Sequence, residues 1–221
     1  MSAYMEWLSQ GCWSPCDSLL EMTGLGDQAE RICVAGAGGK TTLLHQLAEE
    51  YRDRKMPVLV TTTTHMYVED LPYFYLEKDT SPEDILPQES IWKILEDYGM
   101  VFLGKESEKK GKMKSLSSDW FDWANRQHLP LLVEADGARR LPVKIPGERE
   151  PVYLKHTTHV FYVYGMNALE KSWKEACFRG ELAKPLIGKE PEELIQAEDV
   201  VNLASSPMSG RRGVSEPWDI R

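Results

Sequence analysis

An α/β fold, with a mostly parallel sheet and helices on both of its faces, is predicted by three observations. Short apolar runs at Ile32–Ala35, Val58–Val60, Leu129–Val133 and His159–Gly165 alternate with stretches of helical periodicity. Three of these runs end in polar clusters, Gly36–Thr42, Thr61–His65 and Glu134–Arg140. In parallel sheets ligands gather at the carboxyl ends of the strands, so the three clusters point to one site.

The first run carries the most information. Arg31-Ile-Cys-Val-Ala leads into Gly36-Ala37-Gly38-Gly39-Lys40-Thr41-Thr42, and Leu43, Leu44, Leu47 and Ala48 then recur at helical spacing. A strand, a glycine-rich turn, a lysine and a helix form the layout of a phosphate-binding loop, so the fold is predicted to be P-loop NTPase-like. Glycines let backbone N–H groups close on phosphate oxygens, and the helix N-terminus adds partial positive charge. Lys40 can reach the outer phosphates, and the Thr41 hydroxyl is placed for Mg²⁺. The spacing is the shorter Gly-x-x-Gly-Lys-Thr. The longer pattern would need glycine where Val34 stands.

Before this loop, Ser18–Met22 has weak helical character and Thr23–Asp27 reads as a turn. After it, Lys55-Met56-Pro57 turns the chain into the second strand. That strand runs into four threonines and His65, and it is expected to neighbour the phosphate-loop strand. The threonines either extend the strand or offer hydroxyls to a γ-phosphate and its Mg²⁺. Thr62, Thr63, Thr64 and His65, with Arg139, are therefore candidates for a phosphate sensor or an acceptor site. Residues 70–90 have no clear element. Ile91–Tyr98 reads as a helix, Met100–Leu103 as a short strand, Gly104–Lys114 as a solvated loop, and Leu116–His128 as an amphipathic helix bearing Trp120, Phe121 and Trp123.

The third strand ends in Glu134-Ala135-Asp136-Gly137. A buried strand that ends in carboxylates suits a nucleotide hydrolase, which must hold Mg²⁺ or activate water. Glu134 and Asp136 are thus catalytic and metal-ligating candidates together with Lys40 and Thr41. Arg139 and Arg140 follow; they could clamp an anion or equally pair with surface acids, and the sequence does not choose between the two arginines. Leu141–Pro151 holds three prolines and is too irregular for a helix or a central strand, as functional loops often are. Pro191–Ala204 is predicted to be a helix with proline in its first turn, and Ser205–Arg221 a loop.

Composition bounds the remainder. The chain has 221 residues, enough for one sizeable domain. The expectation is one nucleotide-binding domain over 1–221, with an N-terminal extension at 1–16 and a C-terminal loop at 205–221. A net charge of −9 argues against a nucleic-acid surface. No apolar run reaches the roughly 18 residues of a membrane span, and the N-terminus lacks a secretory pattern, so a cytoplasmic protein is expected. Cysteines 12, 16, 33 and 177 do not form a metal-binding pattern.

Four segments of this chain, Gly36–Leu43, Thr61–Met66, Glu134–Arg139 and Leu141–Pro146 with Glu150-Pro151, give it a family resemblance. It resembles the YqeC-like accessory proteins of selenium-dependent hydroxylases over roughly residues 17–213. The resemblance implies a role in maturing selenium-dependent molybdenum hydroxylases, with such a hydroxylase or a molybdenum-cofactor carrier as partner. It brings no defined reaction. The short loop alone is also similar to the ATP site of Mur-type ligases. With no Asn-Lys-x-Asp signature present, ATP and GTP both remain open. The reading that results is Mg²⁺-dependent nucleotide binding with slow hydrolysis. An ATP-dependent kinase or ligase acting on a small acceptor, and a non-hydrolysing nucleotide-gated adaptor, stand as alternatives.

Overall fold

The computed structural model describes residues 4–8, 12–26, 28–77, 85–214 and 219–220. The elements in chain order are β1 (Tyr4–Leu8), β2 (Cys12–Cys16), α1 (Leu19–Met22), β3 (Arg31–Gly36), α2 (Lys40–Asp53), β4 (Val58–Thr62), β5 (His65–Tyr67) and β6 (Phe74–Glu77). They continue as α3 (Ile85–Tyr98), β7 (Met100–Glu106), β8 (Lys112–Lys114), α4 (Ser118–Arg126), β9 (Leu131–Glu134), β10 (Val143–Lys144) and β11 (His159–Val163). The last are α5 (Trp173–Ala176), β12 (Cys177–Phe178), α6 (Ala183–Ile187), α7 (Ala197–Ser205) and β13 (Asp219–Ile220).

The main sheet runs β13-β11-β3-β9-β4-β7-β8-β5, with β6 also paired to β7. Its pairs are parallel except β7 with β8 and β8 with β5. Strand alternation divides the core between two faces. Ile32, Val34, Val58, Val60 and Phe102 pack with Leu44, Leu47 and Tyr51 of α2. Cys33, Ala35, Leu59, Val101 and Val133 pack with Ile91 of α3 and Trp120 and Trp123 of α4. The chain is therefore an α/β protein with a mostly parallel, mixed sheet flanked by helices. A third, smaller cluster gathers Val143, Ile145, Trp173, Cys177, Ile195 and Leu203 beside the sheet.

Four expectations change. First, β4 does not neighbour β3, because β9 lies between them, with Glu134 opposite both Val34 and Thr62. The rule for parallel crossovers fixes their hand and leaves room for a later strand to insert. Second, Gly104–Lys114 is not a solvated loop throughout. β7 runs on to Glu106, and Lys112-Met113-Lys114 returns antiparallel to it. Met113 is fully buried against Gly104, an alternation the charged neighbours disguise. Third, α7 starts at Ala197 rather than Pro191, because Gln196 and Asp199 form a reciprocal capping box. Fourth, the C-terminal stretch is not all loop. Asp219–Ile220 adds a parallel strand to β11, while residues 215–218 and 221 lie outside the described residues. At the other end, β1 and β2 form an antiparallel hairpin, and residues 1–3 and 9–11 of the expected extension are outside the described residues. Among the described residues no helix is long and apolar enough to cross a membrane.

Candidate functional site

The carboxyl ends of β3, β9 and β4 meet at one edge of the sheet, and the Gly36–Thr42 turn crosses it into α2. Two glycines of this turn have no substitute. Gly36 has φ +92°, and a Cβ there would sit 2.3 Å from the Val163 carbonyl oxygen. Gly38 has φ +76°, and its Cβ would lie 2.6 Å from Gly165 and from the Pro142 oxygen. The turn is thus clamped between the end of β11 and the segment after β9. The Ala37 N–H donates to the Val163 oxygen at 2.8 Å. Among the described residues, none accepts a hydrogen bond from the N–H groups of Gly38 to Thr42.

Lys40 opens α2 and is almost wholly buried, at 6% exposure. Its Nζ donates to the Gly36 oxygen at 2.8 Å and lies 3.1 Å from Asp136 Oδ1 and 3.8 Å from Glu134 Oε1. The sheet order makes this possible, because β9 beside β3 places both carboxylates over the turn. Thr41 Oγ1 donates to Glu134 Oε2 at 3.1 Å. Burial pushes the Glu134 carboxyl above the ordinary carboxylate range, although Lys40 and the Thr41 hydroxyl pull it down.

Asp136 faces inward. It is fully buried, accepts from the Gly36 N–H at 3.1 Å, and meets Lys144 Nζ at 2.9 Å. Lys144, with no exposed side-chain surface, also donates to the Gly137 oxygen at 2.8 Å and to Glu150 Oε2 at 2.9 Å. Arg179 completes the series, donating to Glu150 at 2.7 Å. Burial alone would raise the Glu150 carboxyl. The hydrogen bonds from Arg179 and Lys144 outweigh it and hold the group at about 2. Glu134, Lys40, Asp136, Lys144, Glu150 and Arg179 therefore form a chain of alternating charge from the turn into the third core cluster.

The threonines divide. Thr61 donates to the Leu103 oxygen at 2.7 Å, Thr62 to the Glu134 oxygen at 3.0 Å, and Thr63 to the Val152 oxygen at 3.0 Å. These hydroxyls tie strand ends together, whereas Thr64 and His65 line the cleft. Burial, then the charges of Lys109 and Lys112, hold the His65 imidazole below its usual range, against a smaller pull from Glu108. The cleft itself has a volume of about 960 Å³. Its lining includes Gly38–Thr42 and Glu134, and also Tyr67, Lys109, Lys112, Arg139, Arg140 and Phe178. Asp136, Thr62 and Thr63 are not on its surface.

Sequence reasoning missed Lys144, Glu150 and Arg179 as part of the site. The signal for Lys144 was a lysine between Val143 and Ile145 in a proline-bounded stretch, where an exposed charge is out of place. Arg179 had no such signal. Cys16, Cys33 and Cys177 are buried and free, and burial pushes the Cys177 thiol up to about 12. Among the described residues no three His, Cys, Asp or Glu side chains are grouped to hold a metal ion. A metal here would need few protein ligands. Thr41 with Glu134 fits Mg²⁺, which takes one or two carboxylates and completes its shell with phosphate and water.

Fold and cleft define a class, α/β proteins with a glycine-rich turn and paired carboxylates at the carboxyl edge of a mostly parallel sheet. The profile of one family, described as "YqeC protein", matches residues 32–181. A protein of Escherichia coli (strain K12), described as "Uncharacterized protein YqeC", is 30% identical over 190 residues, covering 84% of this chain and 71% of its own length. The chain belongs to the YqeC family. No solved structure matches it.

Proposed function

We propose that this chain is a P-loop NTPase-like protein that binds a nucleoside triphosphate, ATP or GTP, with Mg²⁺ and hydrolyses it slowly. The observation that carries the reading is Lys40. A lysine at the first position of a helix is seldom buried. Here it folds onto the glycine turn between two strand-end carboxylates, beside five N–H groups with no acceptor among the described residues. Phosphate oxygens suit those donors. Lys40, released from the Gly36 oxygen, has the reach to follow them.

Thr41 and Glu134 are the residues that would hold Mg²⁺, which would offset charge on the phosphates. Asp136 then acts as a positioning residue. It holds the Gly36 N–H, stands beside Lys40 and pairs with Lys144. Where Mg²⁺ is held through water rather than directly, Glu134 is the carboxylate beside the turn that could take a proton from that water. The role we propose for this binding is the one the motif resemblance implies, the maturation of selenium-dependent molybdenum hydroxylases, with a hydroxylase or a molybdenum-cofactor carrier as partner. A second reading, transfer to an acceptor, is favoured by one observation. The same cleft is also lined by Tyr67, Arg139, Arg140 and Phe178, residues that the phosphate contacts do not use.

Calorimetry with ATP and GTP, each with and without Mg²⁺, tests the core of this proposal. One equivalent of one nucleotide is expected to bind, more tightly with the metal. No binding of either at millimolar concentration rejects it. Steady-state phosphate release then separates a hydrolase from an adaptor.

A further inference from the structure

The phosphate contacts proposed above use Gly38–Thr42 and Glu134 and give no role to the basic residues of the same cleft. Its lining carries four cations besides Lys40, namely Lys109, Lys112, Arg139 and Arg140, on a chain whose net charge is −9. Among the described residues no carboxylate lies within ion-pair distance of any of them. The nearby acids lie against other groups. Glu69 sits 3.4 Å from His45, Glu108 2.7 Å from Lys114, and Glu150 is held by Lys144 and Arg179. Like charges gathered in a concave wall repel one another, and they focus a positive field on whatever enters.

The arginines are also posed. The Arg140 guanidinium lies 4.3 Å from the centre of the Tyr67 ring, which Lys112 also approaches at 4.4 Å. The Arg139 guanidinium lies 4.9 Å from the centre of the Phe178 ring. Stacking uses the face of a guanidinium and leaves its in-plane N–H fork free for paired oxygen acceptors. Both arginines have left-handed backbone, φ 49° and 64°, which glycine or asparagine adopts with less strain. The lowered titration of His65, to which Lys109 and Lys112 contribute after burial, agrees with a positive field on this wall.

We propose that the wall formed by Arg139, Arg140, Lys109 and Lys112 is a second anion subsite, which takes the phosphate or carboxylate groups of a small polyanionic molecule. Calling that molecule the acceptor rests on the nucleotide reading above; the anion subsite itself does not. Two sources share the chemistry, a phosphate ester and a polycarboxylate, and inorganic pyrophosphate and citrate stand in for them.

Each anion is titrated into the full chain and followed by amide NMR. Thr64–Tyr67 and Gly137–Arg140 are expected to respond as one set, separate from Gly38–Thr42. Arg139→Asn and Arg140→Asn keep a residue that tolerates left-handed backbone. Each is expected to weaken the first set by about tenfold, the loss of charge-assisted hydrogen bonds, while the second set stays within about twofold. Lys40→Ala is expected to do the reverse. A response to pyrophosphate alone assigns the subsite to phosphate groups, and a response to citrate alone assigns it to carboxylates. The proposal is overturned if neither anion moves Thr64–Tyr67 below about 10 mM, a concentration weaker than any specific site needs. It is equally overturned if both arginine variants bind as the parent does. A silent Gly38–Thr42 turn beside a responding arginine wall would sink the nucleotide reading and leave this one standing.

Discussion

The glycine turn and the charge chain behind it are built in opposite ways. Gly36–Thr42 is seven consecutive residues whose chemistry is local, with φ angles, helix-end N–H groups and one lysine. The chain from Glu134 through Lys40, Asp136, Lys144 and Glu150 to Arg179 draws on residues spread from 40 to 179, and only the finished fold assembles it. The turn is clamped mainly by backbone, with Gly36 and Gly38 against Val163, Gly165 and Pro142. The chain is held by charge out of water, where each ion depends on its neighbours. A change in the turn should therefore act on ligand binding and a change in the chain on stability, with Lys40 the residue that belongs to both.

The strongest way to break that contrast is to remove Lys144. Lys144→Ala leaves Asp136 and Glu150 each short of a buried partner, a loss of about 3–5 kcal/mol. The thermal midpoint should fall by on the order of 10 °C. The exposed Lys93–Asp97 pair is as short, at 2.8 Å, yet Lys93→Ala should leave the midpoint unchanged. Equal effects of the two variants in thermal melts would mean that the buried chain is no different from a surface pair.

Acid sharpens the comparison at the next level. The Glu150 carboxyl is depressed to about 2, so its stabilisation is complete above the ordinary glutamate range and is lost as pH falls toward that value. Discounted for a side chain that is 21% exposed, the contribution is about 2 kcal/mol. Denaturant melts from pH 5 down to 2 should show a steeper loss of stability in the parent than in Glu150→Gln. Parallel curves would remove Glu150 from the chain.

Glu134 ends the chain against the turn, where Thr41 donates to it, and should show the smallest stability effect of the chain. Its carboxyl is raised by burial, so the stability it contributes is present below the ordinary glutamate range and is lost as pH rises through the raised value. Glu134→Gln should therefore hold or raise the thermal midpoint at neutral pH, because Lys40 keeps Asp136. It should also remove the Mg²⁺ enhancement of nucleotide binding. A large drop in midpoint would place Glu134 with Lys144 as a structural ion.

How much was legible in sequence follows the same division. The turn, the strand that precedes it and the helix that follows could be read from residues 31–48, because glycine spacing and apolar periodicity are local signals. Glu134 and Asp136 were legible as strand-end carboxylates, but their distinct roles were not, since the strand stops at Glu134 and Asp136 turns inward. The position of β9 between β3 and β4 could not be read, because strand insertion is decided by long-range packing. Lys144 was hidden by composition: prolines and charges around it suggested solvent, and the structure buries it completely. The start of α7 was misread because Pro191 gave a helix-start signal that the Gln196–Asp199 capping box overrode. The Thr61–Thr64 run looked like a row of ligand donors, and three of its hydroxyls serve backbone carbonyls.

The central claim is that the Gly36–Thr42 turn binds the phosphates of a Mg²⁺-nucleotide through Lys40. Titration calorimetry of Lys40→Ala against the parent, both checked for an unchanged fold, tests it most directly. A hydrogen bond from a charged donor contributes about 1.5–3 kcal/mol, so the variant should bind on the order of tenfold to a hundredfold more weakly. A folded Lys40→Ala protein that binds Mg²⁺-nucleotide with the parent's affinity would contradict the account.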